Sequence, residues 1–255
     1  MNTKSLLLVW RDEKTHLYFH VGTLTYDGSL YTFEYTHHSQ ADRKVKDAIE
    51  HGYTLHPAFM QLTKKYESKE LFPAFSRRIP SENRIDYQQV LKNLSLPKDA
   101  DQMDILRATR GMIGNNPYFF DEPLRLTDDN ILSNHFYISG MRYRGIPKNW
   151  HTSIQKGDNL VLEPHLDNPV DSNAVKILTK DHVWLGFVPG IFAKAIRALL
   201  KREVKMHVVI DEINPTHAPQ RWIRVSFQSI LNQDHSTVLS LKDIKELDGL
   251  FVQVS

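Results

Sequence analysis

From Asn134 to Ser229 the chain carries six short β-forming runs and a single helical one, and this imbalance limits the folds open to it. The β runs are Phe136–Gly140, Asn159–Glu163, Ala174–Leu178, Val183–Val188, Val204–Ile210 and Trp222–Phe227. The helix is Ile191–Arg202, with Ile191, Ala195 and Leu199 along one apolar stripe. Six short strands around one helix predict a small, partly open barrel.

The first half is patterned differently. Ser5–Trp10, Leu17–Thr25 and Leu30–Tyr35 read as strands, with Asp27-Gly28 as a hairpin turn. Helical signals follow. Asp42–His51 ends at Gly52; Ser68 caps a helix bearing Leu71, Phe72, Phe75 and Ile79 and stopped by Pro80. Asp86 opens another helix with Tyr87, Val90, Leu91 and Leu94 inward, and Asp101–Thr109 forms a last one before Arg110-Gly111. The fold class is therefore α+β: a small sheet plus a helical cluster over residues 1–126, then the barrel over 134–229. The polar string Thr127-Asp128-Asp129-Asn130 reads as the boundary between them. Residues 230–255 form a C-terminal extension, in which Leu239, Leu241, Ile244 and Leu247 are spaced for a helix within Asp234–Leu250.

A length of 255 residues suits two small domains. Cysteine is absent, which removes disulfides, thiolate metal sites and cysteine nucleophiles, and fits a reducing compartment. The run Leu6-Leu7-Leu8-Val9-Trp10 is too short for a signal peptide, and no apolar stretch reaches the ~20 residues of a membrane span, so the expectation is a cytoplasmic protein without membrane contact. Charge is uneven. Residues 1–130 hold 17 Lys and Arg against 18 Asp and Glu, whereas the remainder holds 15 against 12. A modestly basic second half permits a nucleic-acid partner.

Three patterns in that half carry chemistry. Gly140-Met141-Arg142-Tyr143 sets a phosphate-binding fork beside a stacking ring. Asn168-Pro169-Val170-Asp171-Ser172-Asn173 makes a tight polar turn that presents a carboxylate and amides, and Asp171 can also serve that turn structurally. Leu185-Gly186-Phe187-Val188-Pro189 lets a backbone approach closely and starts the helix. In this order the three resemble a HIRAN domain across Asn134–Ser229, most specifically in Asn168-Pro169-x-Asp171-x-Asn173-Ala174-Val175. The resemblance implies an OB-like β-barrel that holds single-stranded DNA, in the best understood members at a free 3′ end. It implies that Arg142 grips phosphate, Tyr143 stacks a base, and Asp171, in the turn with Asn168, meets the terminal hydroxyl. Val170 stands where DNA-end-binding members carry a second aromatic, so Phe187 or Trp222 is expected to supply the other face. Lys194, on the helix, is an additional phosphate contact, set against the plain reading of a solvated helix face.

The first half resembles, more diffusely, the N-terminal subdomain of HipA-type toxin kinases, through Val21-Gly22-x-Leu24, Glu70 to Pro80 and Asp104 to Gly111. That resemblance implies a module contacting a separate protein; no phosphate loop or catalytic loop accompanies it. The 13 histidines lack ligand spacing and read as structural or surface residues, so neither cofactor nor metal is expected. The reading is a non-enzymatic adaptor for single-stranded DNA or DNA ends. The alternative is a protein–protein adaptor related to toxin–antitoxin components, its HIRAN site vestigial. A metal-dependent hydrolase of phosphate anhydrides is disfavoured for want of clustered ligands.

Overall fold

Strand β1 (Lys4–Arg11) carries an unbroken buried run from Leu6 to Trp10 in the computed structural model, because it lies inside a sheet and is covered on both faces. The structure describes residues 3–39, 41–114, 116–146, 149–231 and 245–254, and the chain divides into two units, Met1–Pro123 and Leu124–Ser255. In the first unit β1 pairs antiparallel with β2 (Tyr18–Tyr26) on one side and β5 (Tyr118–Asp121) on the other. With β3 (Tyr31–Tyr35) and β4 (Tyr66–Ser68) the order is β4-β3-β2-β1-β5. Helices α1 (Val45–Glu50), α2 (Pro73–Ser76), α3 (Tyr87–Asn93) and α4 (Gln102–Thr109) complete the unit. Phe33, Phe59 and Phe75 form the centre of the core, with ring centroids 4.4 and 5.3 Å apart in sequence.

Local chemistry explains the ends of these elements. Asp101 caps α4 by accepting from the Asp104 amide at 3.0 Å, and Lys4 joins both carboxylates at 2.9 and 2.7 Å. Arg110 ends α4 in the left-handed conformation (φ 58°) and pairs with Asp121 at 2.6 Å. Ser68 does not cap a helix: it pairs with Tyr31 in β4, and the helix begins only at Pro73, which fixes its first turn. The carboxylate of Asp12 is buried in the β1–β2 turn and accepts from the Lys14 amide at 3.0 Å and the Thr15 hydroxyl at 2.5 Å.

Among the described residues the second unit is an eight-stranded curled sheet with one long helix. Its strands are β6 (Leu124–Thr127), β7 (Ile131–Tyr137), β8 (Asn159–Pro164), β9 (Val175–Leu178), β10 (Trp184–Phe187), β11 (Met206–Ile213), β12 (Ile223–Ile230) and β13 (Phe251–Val254), and the helix is α5 (Gly190–Lys201). The order is β10-β9-β8-β11-β12-β7-β6-β13, all antiparallel except β13 on β6. The sheet returns on itself. Ser139, two residues beyond β7, exchanges both backbone hydrogen bonds with Phe187 at 2.8 Å, which joins the β10 edge to the end of β7.

Thr127–Asn130 is thus no linker between domains but the turn of the β6–β7 hairpin, with Asn130 at φ 60°, and the units divide at Pro123 instead. Helix α5 buries more than one stripe, since Phe192, Ala193, Ile196 and Ala198 are covered as well as Ile191, Ala195 and Leu199. Pro189 is its N-cap, one residue earlier than the first helical position. Within the C-terminal extension, Leu239, Leu241 and Ile244 lie outside the described residues. The described part forms a 3-10 turn (Lys245–Leu247) that buries Leu247, then β13. Among the described residues no helix is long and apolar enough to cross a membrane.

Candidate nucleic-acid interface

The seam that closes the sheet also builds the site. At Gly186 a Cβ would lie 2.5 Å from the Ser139 carbonyl oxygen and 2.6 Å from an Ile138 methyl, so only glycine admits this approach. Directly beyond the seam Gly140 turns the chain at φ 74°, in the region L side chains rarely adopt. Met141 is buried and anchors the 3-10 turn Met141–Tyr143, which leaves Arg142 and Tyr143 outward. Tyr143 is 75% exposed, with the Arg142 guanidinium carbon 6.0 Å from its ring centroid. A cation and an open aromatic face therefore stand side by side on a backbone held from below.

The β8–β9 loop contributes the second wall. The Asn168 side-chain oxygen accepts from the Val170 and Asp171 amides, each at 2.9 Å, closing the turn around Pro169. Asp171 Oδ1 accepts from the Asn173 amide at 2.8 Å, and its carbonyl accepts from Ala174 at 2.9 Å. One carboxylate thus shapes the turn while the residue stays only partly buried. The Asn168 Nδ2 faces His165 Nδ1 at 3.0 Å, and the His165 ring stacks on Phe187 with centroids 5.8 Å apart at 23°. Phe187 in turn lies against Gly140, where a Cβ would sit 3.3 Å from its ring. A continuous chain of contacts runs from the Asn168–Asp171 turn through His165 and Phe187 to the base of the Arg142–Tyr143 turn.

The floor is cationic and aromatic. The Arg144 guanidinium lies 4.3 Å from the Trp184 ring centroid and 5.1 Å from that of Phe187, and Lys176 Nζ lies 5.1 Å from Trp184. Trp184 and Phe187 are edge to face, 5.2 Å apart at 88°. Lys176 also pairs with Glu163 at 3.1 Å. Burial, then the charges of Lys176 and Arg144, hold the His165 imidazole below its ordinary pKa, with Asp167 and Glu163 opposing.

The residues singled out from sequence are distributed unequally. Arg142, Tyr143, Asn168, Asp171 and Phe187 belong to this one contact chain. Phe187 is not an open platform, because His165 and Arg144 already occupy its ring and Trp184 its edge. Trp222 gives its indole N–H to the His217 carbonyl at 2.9 Å and packs on Trp150 at 5.5 Å, beside the 3-10 turn Pro219–Arg221 that contacts Met141–Tyr143. Lys194 is partly buried on α5. His165, Arg144, Lys176 and Trp184 were not singled out. Their signal was faint: Arg144 follows the Arg-Tyr pair directly, and His165 stands three residues before Asn168. Among the described residues no three His, Asp or Glu side chains are grouped to hold a metal ion.

Residues 131–232 match the family model of the HIRAN domain. Among solved structures, the HIRAN domain of human HLTF is similar at 15% identity, covering 38% of this chain and 74% of that one, with a TM-score of 0.31. A protein from Lactobacillus plantarum is similar at 15% identity, covering 38% of this chain and 96% of its own, with a TM-score of 0.33. No curated protein matches the chain. The family model leaves residues 1–130 unmatched, and none of these matches is to a HipA-type protein.

Proposed function

We propose, from the premise of a HIRAN domain at residues 131–232, that the second unit binds single-stranded DNA, with a free 3′ end as its preferred target. The HIRAN match supports nucleic-acid binding in general. The observation that carries the finer reading is the exposed Arg142–Tyr143 pair, built on the closing seam and tied to the Asn168–Asp171 turn. Arg142 takes a phosphate, Tyr143 stacks a base, and Asp171 accepts a hydrogen bond from the terminal hydroxyl. No side chain in this scheme forms or breaks a bond of the ligand, so the reading is recognition without chemistry. One open ring contributes about 1–3 kcal/mol of stacking, which predicts modest affinity. The first unit, on this reading, contacts a separate protein and makes the chain an adaptor.

A second reading draws on Leu166 and Val170, 70% and 49% exposed on the β8–β9 loop. Apolar side chains beside the turn suit a protein partner better than a phosphate backbone. Fluorescence-anisotropy titration of a short labelled single strand at low salt separates the two. Saturable binding that weakens on Tyr143→Ala supports the first, and no binding by the wild type leaves the second.

A further inference from the structure

The hydrogen bonds of the β8–β9 loop fix the protonation of His165. The Asn168 oxygen is already committed to two backbone amides at 2.9 Å, so the atom facing His165 is the amide nitrogen. An NH2 group only donates. His165 Nδ1, 3.0 Å away, must therefore accept, and the ring carries its proton on Nε2. An imidazolium would set an N–H against that NH2 group and break the contact.

We propose that His165 is the positioning residue of this site: as a neutral imidazole it holds the Asn168–Asp171 turn against Phe187 and the Arg142–Tyr143 turn, and as an imidazolium it lets go. The proposal rests on the nucleic-acid reading above and deepens it. The charged groups around the ring come from every neighbouring element: Lys176 on β9, Arg144 beyond the Met141–Tyr143 turn, Glu163 on β8, and Asp167 on its own loop. Burial and the two cations outweigh the two carboxylates, so the neutral form is favoured in the folded protein. The tie is present at neutral pH and is lost as pH falls through the folded value, below the ordinary imidazole range. Ligand affinity then falls on acidification. A histidine acting simply as a cation toward phosphate would give the opposite trend.

The test uses the full chain, an oligothymidylate probe, and titrations at about pH 7.5 and about pH 5. His165→Asn places an amide oxygen where Nδ1 accepts and does not titrate, whereas His165→Phe keeps the stacked ring without an acceptor. The wild type is expected to weaken roughly two- to tenfold on acidification, the loss of about one hydrogen bond. His165→Asn should bind equally at both pH values, and His165→Phe should be weak at both. A wild type that tightens in acid, or a His165→Asn protein that keeps the pH dependence through the other histidines, overturns the proposal. Nitrogen NMR of His165 supplies a readout without ligand. If no oligonucleotide binds at any pH, the nucleic-acid reading fails, yet an Nε2–H tautomer whose protonation shifts the Asn168 side-chain amide still supports the positioning role. An Nδ1–H tautomer at neutral pH refutes it.

Discussion

Replacing Gly186 with alanine adds one methyl group at the point where the curled sheet meets its own edge. The new Cβ would stand 2.5 Å from the Ser139 oxygen, 2.6 Å from Ile138 Cγ2 and 3.3 Å from Met141 Cγ. Gly186 is not at positive φ, so the cost is steric rather than torsional. An ordinary C···O approach is about 3.3–3.6 Å, which forces the seam apart by roughly 1 Å. The oxygen that must move is the one accepting the Phe187 amide at 2.8 Å, and its partner bond, Ser139 amide to Phe187 carbonyl, goes with it. Two hydrogen bonds at about 1 kcal/mol each, with overpacking of about 1–3 kcal/mol partly relieved by that movement, give a destabilisation of about 2–4 kcal/mol. Urea unfolding followed by tryptophan fluorescence measures it, in a Trp10→Phe background so that Trp150, Trp184 and Trp222 report on the second unit alone. Because Met141 and Tyr143 sit directly beyond the seam, oligonucleotide binding should fall as well. A variant within about 0.5 kcal/mol of the parent, binding normally, would refute the tight closure on which the site is built.

Tyr143→Ala should leave unfolding within about 0.5 kcal/mol of wild type while weakening single-strand binding by about 1–3 kcal/mol, and Arg142→Ala should reduce the slope of log affinity against log salt by about 0.7. In the first unit, Arg110→Ala leaves the Asp121 carboxylate without its 2.6 Å partner, at a cost of about 3–5 kcal/mol in denaturant unfolding at neutral pH. Burial raises the Asp121 pKa even with Arg110 beside it, so acidification neutralises the orphan charge and the gap between variant and wild type should narrow. Asp12 is held well below the usual carboxylate range by the Thr15 hydroxyl and the Lys14 amide, against the effect of burial and with help from His51. Its contribution is therefore complete above the ordinary carboxylate pKa of about 3.9 and is lost as pH falls through the folded value; acid unfolding of Asp12→Asn should lack that step.

How far the sequence could be read depended on how much of each element's cause was local. Helix α5 and β8 to β10 fall within a residue of their periodic patterns, because each buries a face and ends at a turn residue, whereas β11 and β12 each run three residues beyond theirs. Strand β4 spans three residues, too short to display a period, and only its ladder with β3 makes it a strand. β13 escaped notice because its pairing joins residues more than a hundred positions apart, Phe251 with Leu124, and sequence periodicity says nothing about such a partner. Asp128 and Asp129 read as a polar linker because hairpin turns and linkers share a composition. At the site, the Asn168 turn was legible since its bonds close within three residues. His165 was not, because its meaning comes from Phe187, Arg144 and Lys176, brought to it by three other segments.

We propose that the Arg142–Tyr143 turn and Asp171 together read the end of a single strand. This end recognition is tested most directly by anisotropy titrations of one short DNA strand with its 3′ hydroxyl free or blocked by phosphate, using wild type and Asp171→Ala. The wild type should bind the free end more tightly, and Asp171→Ala should show no preference. Equal binding of both strands by the wild type, or a preference that survives the loss of Asp171, would contradict it.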